Sequence, residues 1–317
     1  MKSLYVSRRE NRFGVRNGCE KAATKHAGGN PAFGGQANID DVTRPKTVIQ
    51  KRNSRLLNLR HLGGCGAEFP VRDETPNPLI TKLVRGGVPE PEVHAALSFG
   101  RRRVVLARQE ISGPGAEILN FTALLSGIAC RYKMVGDGRR AIIGFVLPGD
   151  FTTPIFSEPM RPDFGVMSLT TSKIIELPCA ELLARAQNNP QLSRALTWTA
   201  IADGNIARTW LANLGRQPAD KRTAHLLCEL RHRLALVGVT DQKCFSLPLT
   251  QQDLGDALGV SVVHVNRVLQ RLSHLGLAHH DHQKIGIPDA ARFEQFAEFS
   301  ADYLHPDVRE TALTGSS

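Results

Sequence analysis

Two short helical patterns, joined by a short turn that contains Gly259, restrict what residues 250–276 can fold into more than any other feature of this 317-residue chain. Thr250, followed three residues later by Asp253, matches a capping box, in which each side chain accepts a hydrogen bond from the other residue's backbone. This pattern predicts a helix over residues 251–258, and Gly259 ends it. The inward positions of that helix are Leu254, Ala257 and Leu258.

The second helical pattern covers residues 262–275, and Ser261 is placed to cap its start. Two helices joined by a turn of three or four residues that contains glycine form a helix-turn-helix. We therefore predict this motif here. The inward positions of the second helix are Val265, Val268, Leu269 and Leu272.

The outward face of the second helix carries residue types that read a DNA groove. Valines can contact thymine methyl groups, an arginine can donate to guanine, and amides can pair with adenine or phosphate. A helical hairpin with a merely solvated polar face is the alternative, but the capping, the glycine turn and the apolar spacing all favour a DNA-reading motif. The outward positions are Val262, Val263, His264, Asn266, Arg267, Gln270 and Arg271.

The stretch LAHHDHQKIGIPD, which follows this helix, alternates around a polar turn, as the hairpin of a winged helix does. His279, His280, His282 and Lys284 would lie at or near its tip, within reach of DNA phosphates. A metal site at the histidines is the alternative. Because adjacent residues of a strand point to opposite faces, the three rings do not converge on one ion, and we predict no metal site.

From Val104 to Leu177 the chain consists of short apolar runs punctuated by Gly, Pro and Asp, which predicts an antiparallel β unit of sandwich or roll type. Val135-Gly136-Asp137-Gly138 predicts a hairpin with positive φ at both turn positions, and Leu147-Pro148-Gly149-Asp150 predicts a second turn. This span contains no histidine, which argues against a metal-binding catalytic barrel. We predict no enzymatic activity.

After Pro178 the apolar residues recur at helical spacing. This spacing predicts a short helix over residues 180–188 and another helix over residues 218–238, which a short strand Phe245–Leu249 follows. Between these two helices, a long helix is predicted from Pro190 to about Leu214, where Gly215 stops it. It is a candidate dimerisation seam, with packing inside its own domain as the alternative. Its apolar positions are Leu192, Leu196, Ile201, Ile206, Trp210 and Leu214.

Residues 1–75 are rich in Gly, Asn, Arg and Lys and show no sustained period, so we predict that they are largely disordered. They hold 14 Lys and Arg against 7 Asp and Glu and so carry +7 of the chain's net charge of +10. A basic arm on the DNA backbone and a flexible tail both fit this composition, and the tail is the simpler interpretation. A basic balance favours a polyanionic partner such as nucleic acid.

No apolar run approaches the about 20 residues that a membrane-spanning helix needs, and the start of the chain lacks the apolar core of a secretory signal. The six cysteines stand far apart without a C-x-x-C pair, which is typical of individual reduced thiols. These features predict a cytoplasmic protein with no membrane contact.

Residues 77–305 resemble the Crp/Fnr family of bacterial transcription regulators. The resemblance rests on GIACRYKMVGDGRRAIIGFVLPGDF, on the run from NPQLSRAL through WLANLGR, and above all on LPLTQQDLGDALGVSVVHVNRVLQRLSHLGL. It implies an α+β fold and a homodimer that binds a palindromic DNA operator, with RNA polymerase as a candidate partner. The implied segments are a disordered basic extension (1–76), a cyclic-nucleotide-binding-like β-roll sensor domain (77–188), a long dimerisation helix (189–216), a winged helix-turn-helix domain (217–290) and a C-terminal tail (291–317).

In such regulators the second helix of the motif enters the major groove. The resemblance therefore implies base-reading roles for Val262, Val263, His264 and Arg267. It implies phosphate contacts for Thr250, Gln251, Ser261 and Arg271.

The sensor part departs from relatives with known effectors. Cyclic AMP-responsive members hold the nucleotide with a G-E-L segment and an Arg-Ser/Thr pair after a G-D-F turn, whereas Gly149-Asp150-Phe151 continues here as Thr-Thr-Pro-Ile-Phe. Iron–sulfur members need four suitably placed cysteines, which this chain lacks. We therefore expect neither cyclic AMP nor an iron–sulfur cluster, identify no cofactor, and leave the effector open.

Two alternatives to a ligand-responsive DNA reader stay open. One is a winged-helix module that binds proteins rather than DNA. The other is a redox-responsive regulator that switches through Cys130, whose thiol pKa the charges of Arg131 and Lys133 could lower, although a small core residue is the simpler interpretation. Arg131, Lys133, Arg139 and Arg140 flank the predicted hairpin and suit either an anionic ligand or a solvated turn.

Overall fold

The computed structural model of the protein describes residues 77–155, 160–240, 244–281 and 284–304. At residues 244–246, 281 and 284 it describes the backbone alone. The predicted disordered extension, residues 1–76, lies outside these ranges.

Along the described chain, two helices precede seven strands, three helices follow these strands, and short strands and helices are mixed in the C-terminal part. The helices are α1 (Pro78–Arg85), α2 (Glu90–Leu97), α3 (Cys179–Gln187), α4 (Pro190–Arg216), α5 (Ala219–Leu236), α6 (Gln251–Leu258), α7 (Val262–His274), α8 (Ala290–Ala297) and a 3₁₀ helix, Asp302–Leu304. The strands are β1 (Arg101–Val105), β2 (Glu110–Ser112), β3 (Asn120–Ser126), β4 (Ala129–Met134), β5 (Arg140–Val146), β6 (Gly165–Ser168), β7 (Ser172–Pro178), β8 (Cys244–Ser246), β9 (His279–Asp281) and β10 (Lys284–Gly286).

Two antiparallel sheets, with strand orders β1-β7-β3 and β2-β6-β4-β5, form the β-roll. The α+β fold and the antiparallel roll are thereby confirmed. Among the described helices, none combines the length and the apolarity that crossing a bilayer requires. The interior of the roll is a small apolar cluster of Val105, Leu124, Ala129, Val146 and Ile174.

The predicted hairpin joins β4 to β5, but its turn differs from the prediction. Within this turn Gly138 alone has a positive φ, of 77°. Its N–H donates to the Val135 carbonyl at 2.8 Å, and the Val135 N–H donates to the Arg139 carbonyl at 2.8 Å. The loop therefore has three residues and ends at Gly138 in the left-handed region. This geometry does not require a positive φ at Asp137.

The second predicted turn is confirmed at Leu147-Pro148-Gly149-Asp150. The Asp150 N–H donates to the Leu147 carbonyl at 2.9 Å, and Gly149 has a φ of 89°. Proline followed by a glycine of positive φ is typical of a type II turn.

Helices α1 and α2, which the sequence analysis did not predict, precede the roll. The Asn77 side chain caps α1 by accepting from the Leu79 N–H at 3.0 Å. Each helix has eight residues. Helices this short depend on packing rather than on intrinsic propensity, which explains why the local pattern did not reveal them. Their buried side chains are Leu79, Leu83, Val93, Ala96 and Leu97, which pack in one cluster with α3, β3, β7 and the start of α4.

The long helix α4 has 27 residues and runs to Arg216, so Gly215 lies inside it rather than ending it. Most of the predicted dimerisation seam packs within its own chain: Leu192, Leu196, Ile206 and Trp210 are buried. Leu192 and Leu196 pack in the cluster that contains α1, α2 and α3, whereas Ile206 and Trp210 pack in the cluster that contains β5 and α5. Ile201 and Leu214 from the predicted set remain exposed, together with Leu211.

The C-terminal block consists of α5–α8 and a small sheet of order β8-β10-β9. The short strand predicted over Phe245–Leu249 begins one residue earlier and ends at Ser246. Part of the predicted C-terminal tail is helical, because residues 291–297 belong to α8 and residues 302–304 form the 3₁₀ helix. Phe293 and Ala297 of α8 are fully buried in the cluster that also contains the apolar face of α5.

The roll and the C-terminal block share one apolar cluster. Phe145 of β5 meets Trp210 of α4 edge to face, with ring centroids 5.8 Å apart. The same cluster continues through Leu227 of α5 to Leu254 of α6 and Leu269 of α7. The helix-turn-helix is therefore packed directly on the outer side of the sensor sheet.

Candidate nucleic-acid interface

Helix α6 begins at the predicted capping box. The Asp253 N–H donates to the Thr250 hydroxyl oxygen at 3.1 Å, and the Thr250 N–H donates to Asp253 Oδ2 at 3.0 Å. Gly259 follows the helix in the left-handed region, with a φ of 65°. Both ends of the first helix of the motif are thus as predicted.

The turn between the two helices requires close packing at Gly255. A Cβ atom on Gly255 would lie 2.7 Å from the Val260 carbonyl oxygen. The missing side chain lets the turn fold back onto α6. Ser261 then caps α7 by accepting from the His264 N–H at 3.3 Å.

Helix α7 has one buried side and one exposed side, as predicted. Val265, Val268, Leu269 and Leu272 are buried. Successive residues are about 100° apart around a helix, so the direction away from this buried side falls at Val263, Arg267, Gln270 and His274. These four residues are all exposed, and we call them the α7 ridge. His274 was not among the predicted contacts, although its spacing from Arg267 and Gln270 could have revealed it.

The other predicted contact residues flank the α7 ridge. Val262 and His264 are exposed on either side of it, and Thr250 and Ser261 are exposed at the starts of α6 and α7. Asn266 and Gln251 are half-buried and lie together, because the Asn266 Nδ2 donates to Gln251 Oε1 at 3.4 Å.

Two further predicted contacts lie farther from the ridge. Arg271 lies at the edge of the exposed face, where its Nη1 is 3.3 Å from Asp220 Oδ2 and its side chain is 67% exposed. Lys284 lies in β10 as expected for the wing, but its side chain is outside the described part of the structure, as is His282. His279 and His280 are exposed on β9.

A set of ion pairs that was not predicted links the helix-turn-helix to the β-roll. Arg108, in the β1–β2 turn, donates two hydrogen bonds to Asp253, at 2.7 and 2.8 Å. Arg140, at the start of β5, donates to Asp253 at 2.7 Å and to Asp256 at 2.9 Å. These pairs join residues more than 100 positions apart in the chain, so no local sequence signal could have revealed them.

The electrostatics of Asp253 follow from this position. Burial alone would raise the pKa of the Asp253 carboxyl, but the hydrogen bonds from Arg108, Thr250 and Arg140 outweigh burial and hold this pKa well below its usual range. Asp253, which completes the capping box of α6, is therefore also the charged centre of the contact with the roll.

The four cationic residues around the β4–β5 hairpin all have partners. Arg131 binds Asp203, Lys133 binds Asp163 at 2.5 Å, Arg139 binds Asp137, and Arg140 binds the carboxylates of α6. The hypothesis of a free anion-binding cluster at the hairpin therefore gains no support.

Backbone carbonyls at the G-D-F turn and just after it bind Arg131. Arg131 Nε donates to the Thr152 carbonyl at 2.7 Å, and its Nη2 donates to the Phe151 carbonyl at 2.8 Å and to Asp203 Oδ2 at 2.7 Å. The guanidinium and the carboxylate closest to this segment thus bind each other and the backbone. That cyclic AMP is not the effector stays a prediction.

The thiols of the described residues are not arranged as a cluster site. Cys130, Cys179 and Cys228 are free, and no group of three His, Cys, Asp or Glu side chains in the described ranges could hold a metal ion. The predictions of no cofactor and no metal site stay predictions.

Cys130 differs from the expectation of a lowered thiol pKa. Its side chain is fully buried, and burial raises the pKa of this thiol to about 12. Arg131 and Lys133 bind carboxylates elsewhere, so they do not activate it. The interpretation as a small core residue is favoured over a redox switch.

Comparison with known proteins supports the motif and the fold. The Crp-like helix-turn-helix domain family matches residues 221–296. The nitrogen fixation regulation protein FixK of Bradyrhizobium diazoefficiens is 34% identical over 218 residues, which are 68% of this chain and 90% of that protein. The transcriptional activatory protein AadR of Rhodopseudomonas palustris is 34% identical over 200 residues, 63% of this chain and 80% of that protein.

A solved structure shares the fold. FixK2 from Bradyrhizobium japonicum matches with a TM-score of 0.57 and 24% identity, over 64% of this chain and 99% of that one. With a roll, a long helix and a winged helix-turn-helix in the same order as the sequence predicts, and with a regulator matched along nine-tenths of its length, this chain belongs to the Crp/Fnr family of DNA-binding transcription regulators.

Proposed function

We propose that the protein is a homodimeric, sequence-specific regulator that binds a palindromic operator through α7. The observation that carries this proposal is the α7 ridge, which is exposed while the opposite side of the helix is buried. Along one line it offers a valine, a forked guanidinium and an amide, which are the groups that read base edges in a major groove. Val262, His264 and Asn266 extend the same surface.

Phosphate contacts are assigned to the residues that flank the ridge. Thr250, Gln251 and Ser261 lie at helix starts, where free backbone N–H groups favour a phosphate. Arg271 is exposed enough to reach the DNA backbone while Asp220 orients it. Lys284 on the wing is proposed as a further contact.

Dimerisation is assigned to the face of α4 formed by Ile201, Gly204, Arg208 and Leu211, which we call the α4 seam. The Leu211 side chain is 74% exposed and that of Ile201 is 43% exposed. These positions recur at intervals of three and four residues between Ile201 and Leu211 of the 27-residue helix, so a second α4 can pack along them. A twofold dimer presents two α7 helices to two half-sites.

A regulator of this type works where the bacterial DNA is, so we place it in the cytoplasm. RNA polymerase is the proposed second partner at the promoter. No catalytic activity is assigned to the chain.

The test begins with the full-length protein and a pool of random-centre DNA duplexes, from which bound sequences are selected at moderate salt. We expect enrichment of a palindrome with half-sites about 10 base pairs apart, the spacing of one helical turn. Affinity for that duplex should fall steeply with salt, because binding releases counterions from the phosphates. A protein that enriches no sequence and binds without salt dependence would instead be a protein-interaction module.

The dimer is tested by sedimentation velocity on matched variants. Leu211→Asp places a charge on the α4 seam, whereas Leu119→Asp places the same charge at a leucine of similar exposure, 65%, in the β2–β3 connection. We expect monomers for Leu211→Asp and dimers for Leu119→Asp and the wild type. Dimers of undiminished affinity for Leu211→Asp would reject the α4 seam.

A further inference from the structure

We propose that a cavity between α1, α4 and α5 binds a small organic anion with an apolar body, and that its occupancy changes the affinity for DNA. The cavity has a volume of about 300 Å³. This volume is at the lower end of the range of small-molecule sites and corresponds to about ten water molecules of about 30 Å³ each. The regulatory half of the proposal rests on the proposed DNA-binding function, whereas the binding half does not.

The walls come from both blocks of the protein. Helix α1 and the Pro148–Asp150 turn contribute from the sensor side, and Leu236 and Val237 contribute from the end of α5. Helix α4 forms the wall between them. A molecule in this space therefore touches the roll, the long helix and the first helix of the DNA-binding block together.

The apolar part of the lining favours a flat hydrocarbon body. The half-buried indole of Trp198 forms one wall, and the aliphatic side chains of Ile206, Leu236, Val237 and Leu304 form the others. A planar aromatic ring can bury its faces against such walls.

The charged side chains of the lining indicate which charge a ligand would carry. Asp150 accepts from Lys82 and from Arg233, each at 2.5 Å, and Asp203 is bound to Arg131 at 2.7 Å. Each carboxylate of the lining is thus already paired.

Arg85 is the exception on the cationic side. It is exposed at the end of α1, and it has no hydrogen bond or ion pair with any residue that the structure describes. An anionic group at the mouth of the cavity would pair with this guanidinium, whereas a cation would have to displace an existing pair.

Dimer formation leaves the cavity accessible. At about 100° per residue, Ala202 and Ile206, which line the cavity, lie on the side of α4 opposite to Arg208 and Leu211 of the α4 seam. A second α4 on the seam does not cover this side.

The binding test uses isothermal titration calorimetry on the full-length protein with 1-naphthoate as the probe and neutral 1-naphthalenemethanol as its uncharged counterpart. We expect one naphthoate per protomer, with a Kd of about 1 mM or lower and at least about tenfold weaker binding of the alcohol. Arg85→Gln should weaken naphthoate about tenfold and leave the alcohol unchanged. Ala202→Phe, which fills the cavity, should abolish both.

The matched control is Arg102→Gln, which removes an exposed arginine of β1 outside the cavity and should leave naphthoate binding unchanged. The site is rejected if no heat is seen up to about 5 mM naphthoate, or if Arg85→Gln and the wild type agree within about twofold. Equal binding of the acid and the alcohol would reject an anionic ligand.

The regulatory half is tested on the duplex enriched in the selection above. Saturating naphthoate should change the DNA affinity of the wild type but not that of Ala202→Phe. By linkage, bound DNA must change the naphthoate affinity by the same factor. Naphthoate binding with an unchanged DNA affinity would overturn the regulatory half alone, and a failure to bind any duplex would count against the proposed function while calorimetry still decides the site.

Discussion

Arg108 and Asp253, 145 positions apart in the chain, form a two-bond ion pair, with Nη1 2.7 Å from Oδ1 and Nη2 2.8 Å from Oδ2. Arg108 holds a left-handed backbone conformation, with a φ of 66°, in the turn that carries it. Its partner caps the first helix of the motif that we assign to DNA. The β-roll and the DNA-binding block are thus joined at the residue on which the start of α6 depends, and a change in the setting of the roll acts directly on that helix.

Asp253→Ala is expected to lower the free energy of unfolding by about 2–4 kcal/mol, because it removes the Asp253 half of the capping box and leaves the largely buried Arg140 with Asp256 as its one remaining carboxylate partner. Arg108→Gln should cost only about 1 kcal/mol or less, since the Arg108 side chain is 43% exposed and Arg140 still holds Asp253. Urea unfolding of both variants measures the difference. Equal losses in the two variants would contradict a central role for Asp253.

Arg267→Ala and Arg271→Ala should affect DNA binding differently. Arg267 lies on the α7 ridge, so its loss should cost about 1–3 kcal/mol on the selected operator and relax the preference at one base pair. Arg271, at the edge beside Asp220, should weaken binding to selected and random duplexes alike and reduce the salt slope by about one. Fluorescence anisotropy on both duplexes measures this, and an equal loss on both for Arg267→Ala would remove its base-reading role.

Stability should fall in acid through Asp150. Burial alone would raise the pKa of this carboxyl, but Lys82 and Arg233 outweigh burial and hold its pKa well below the usual range in the folded protein. The unfolded chain, with an aspartate pKa of about 3.9, then binds the proton more readily. The contribution to stability is full above about pH 5 and is lost as the pH falls through about 4 toward the folded pKa.

Urea unfolding between pH 3 and pH 7 tests this dependence. Asp150→Asn should lower stability by about 3 kcal/mol at neutral pH and flatten the acid limb. Asp163→Asn, at a 78% exposed aspartate, is the matched control and should keep the wild-type profile. An acid limb of unchanged steepness in Asp150→Asn would assign the effect to other carboxyls.

Tyr303→Phe should lower the free energy of unfolding by about 1–3 kcal/mol. The fully buried Glu229 accepts from the Tyr303 hydroxyl at 2.9 Å, from Trp210 Nε1 at 3.0 Å and from Arg233 Nη1 at 2.9 Å. Removing one donor leaves this carboxylate less satisfied and loosens the 3₁₀ helix from α5. Trp fluorescence during urea unfolding reports the change, and a wild-type midpoint would show that the other two donors suffice.

Cys130→Ala should bind DNA with the affinity of the wild type, and peroxide should leave the DNA affinity of both proteins unchanged. The thiol is fully buried, and burial raises its pKa to about 12, so little thiolate forms at neutral pH. Anisotropy before and after mild oxidation of the wild type and the variant checks this. A loss of DNA binding on oxidation that the variant abolishes would restore the redox interpretation.

Local sequence patterns were enough to predict the helix-turn-helix, its caps and the side of α7 that faces solvent. The capping and turn residues bind backbone groups at most four positions away, and these residues are Thr250, Asp253, Gly259 and Ser261. Helical spacing places Val265 and Leu269 on the buried side of α7 and Arg267 and Gln270 on its exposed side. Short apolar runs and turn residues likewise predicted the antiparallel roll. They did not predict the length of the β4–β5 loop.

Which apolar face of α4 is buried, what Asp253 binds, and where Arg85, without a partner among the described residues, borders a cavity all depend on tertiary packing. Ile206 and Leu211 are both apolar residues of α4, yet Ile206 is buried against the cluster of the roll and α5, whereas Leu211 is exposed. The partners of Asp253 and Asp150 come from segments far apart in the chain. Local patterns constrain only neighbouring residues, whereas charge pairing and cavity shape depend on which distant segments the packing brings together.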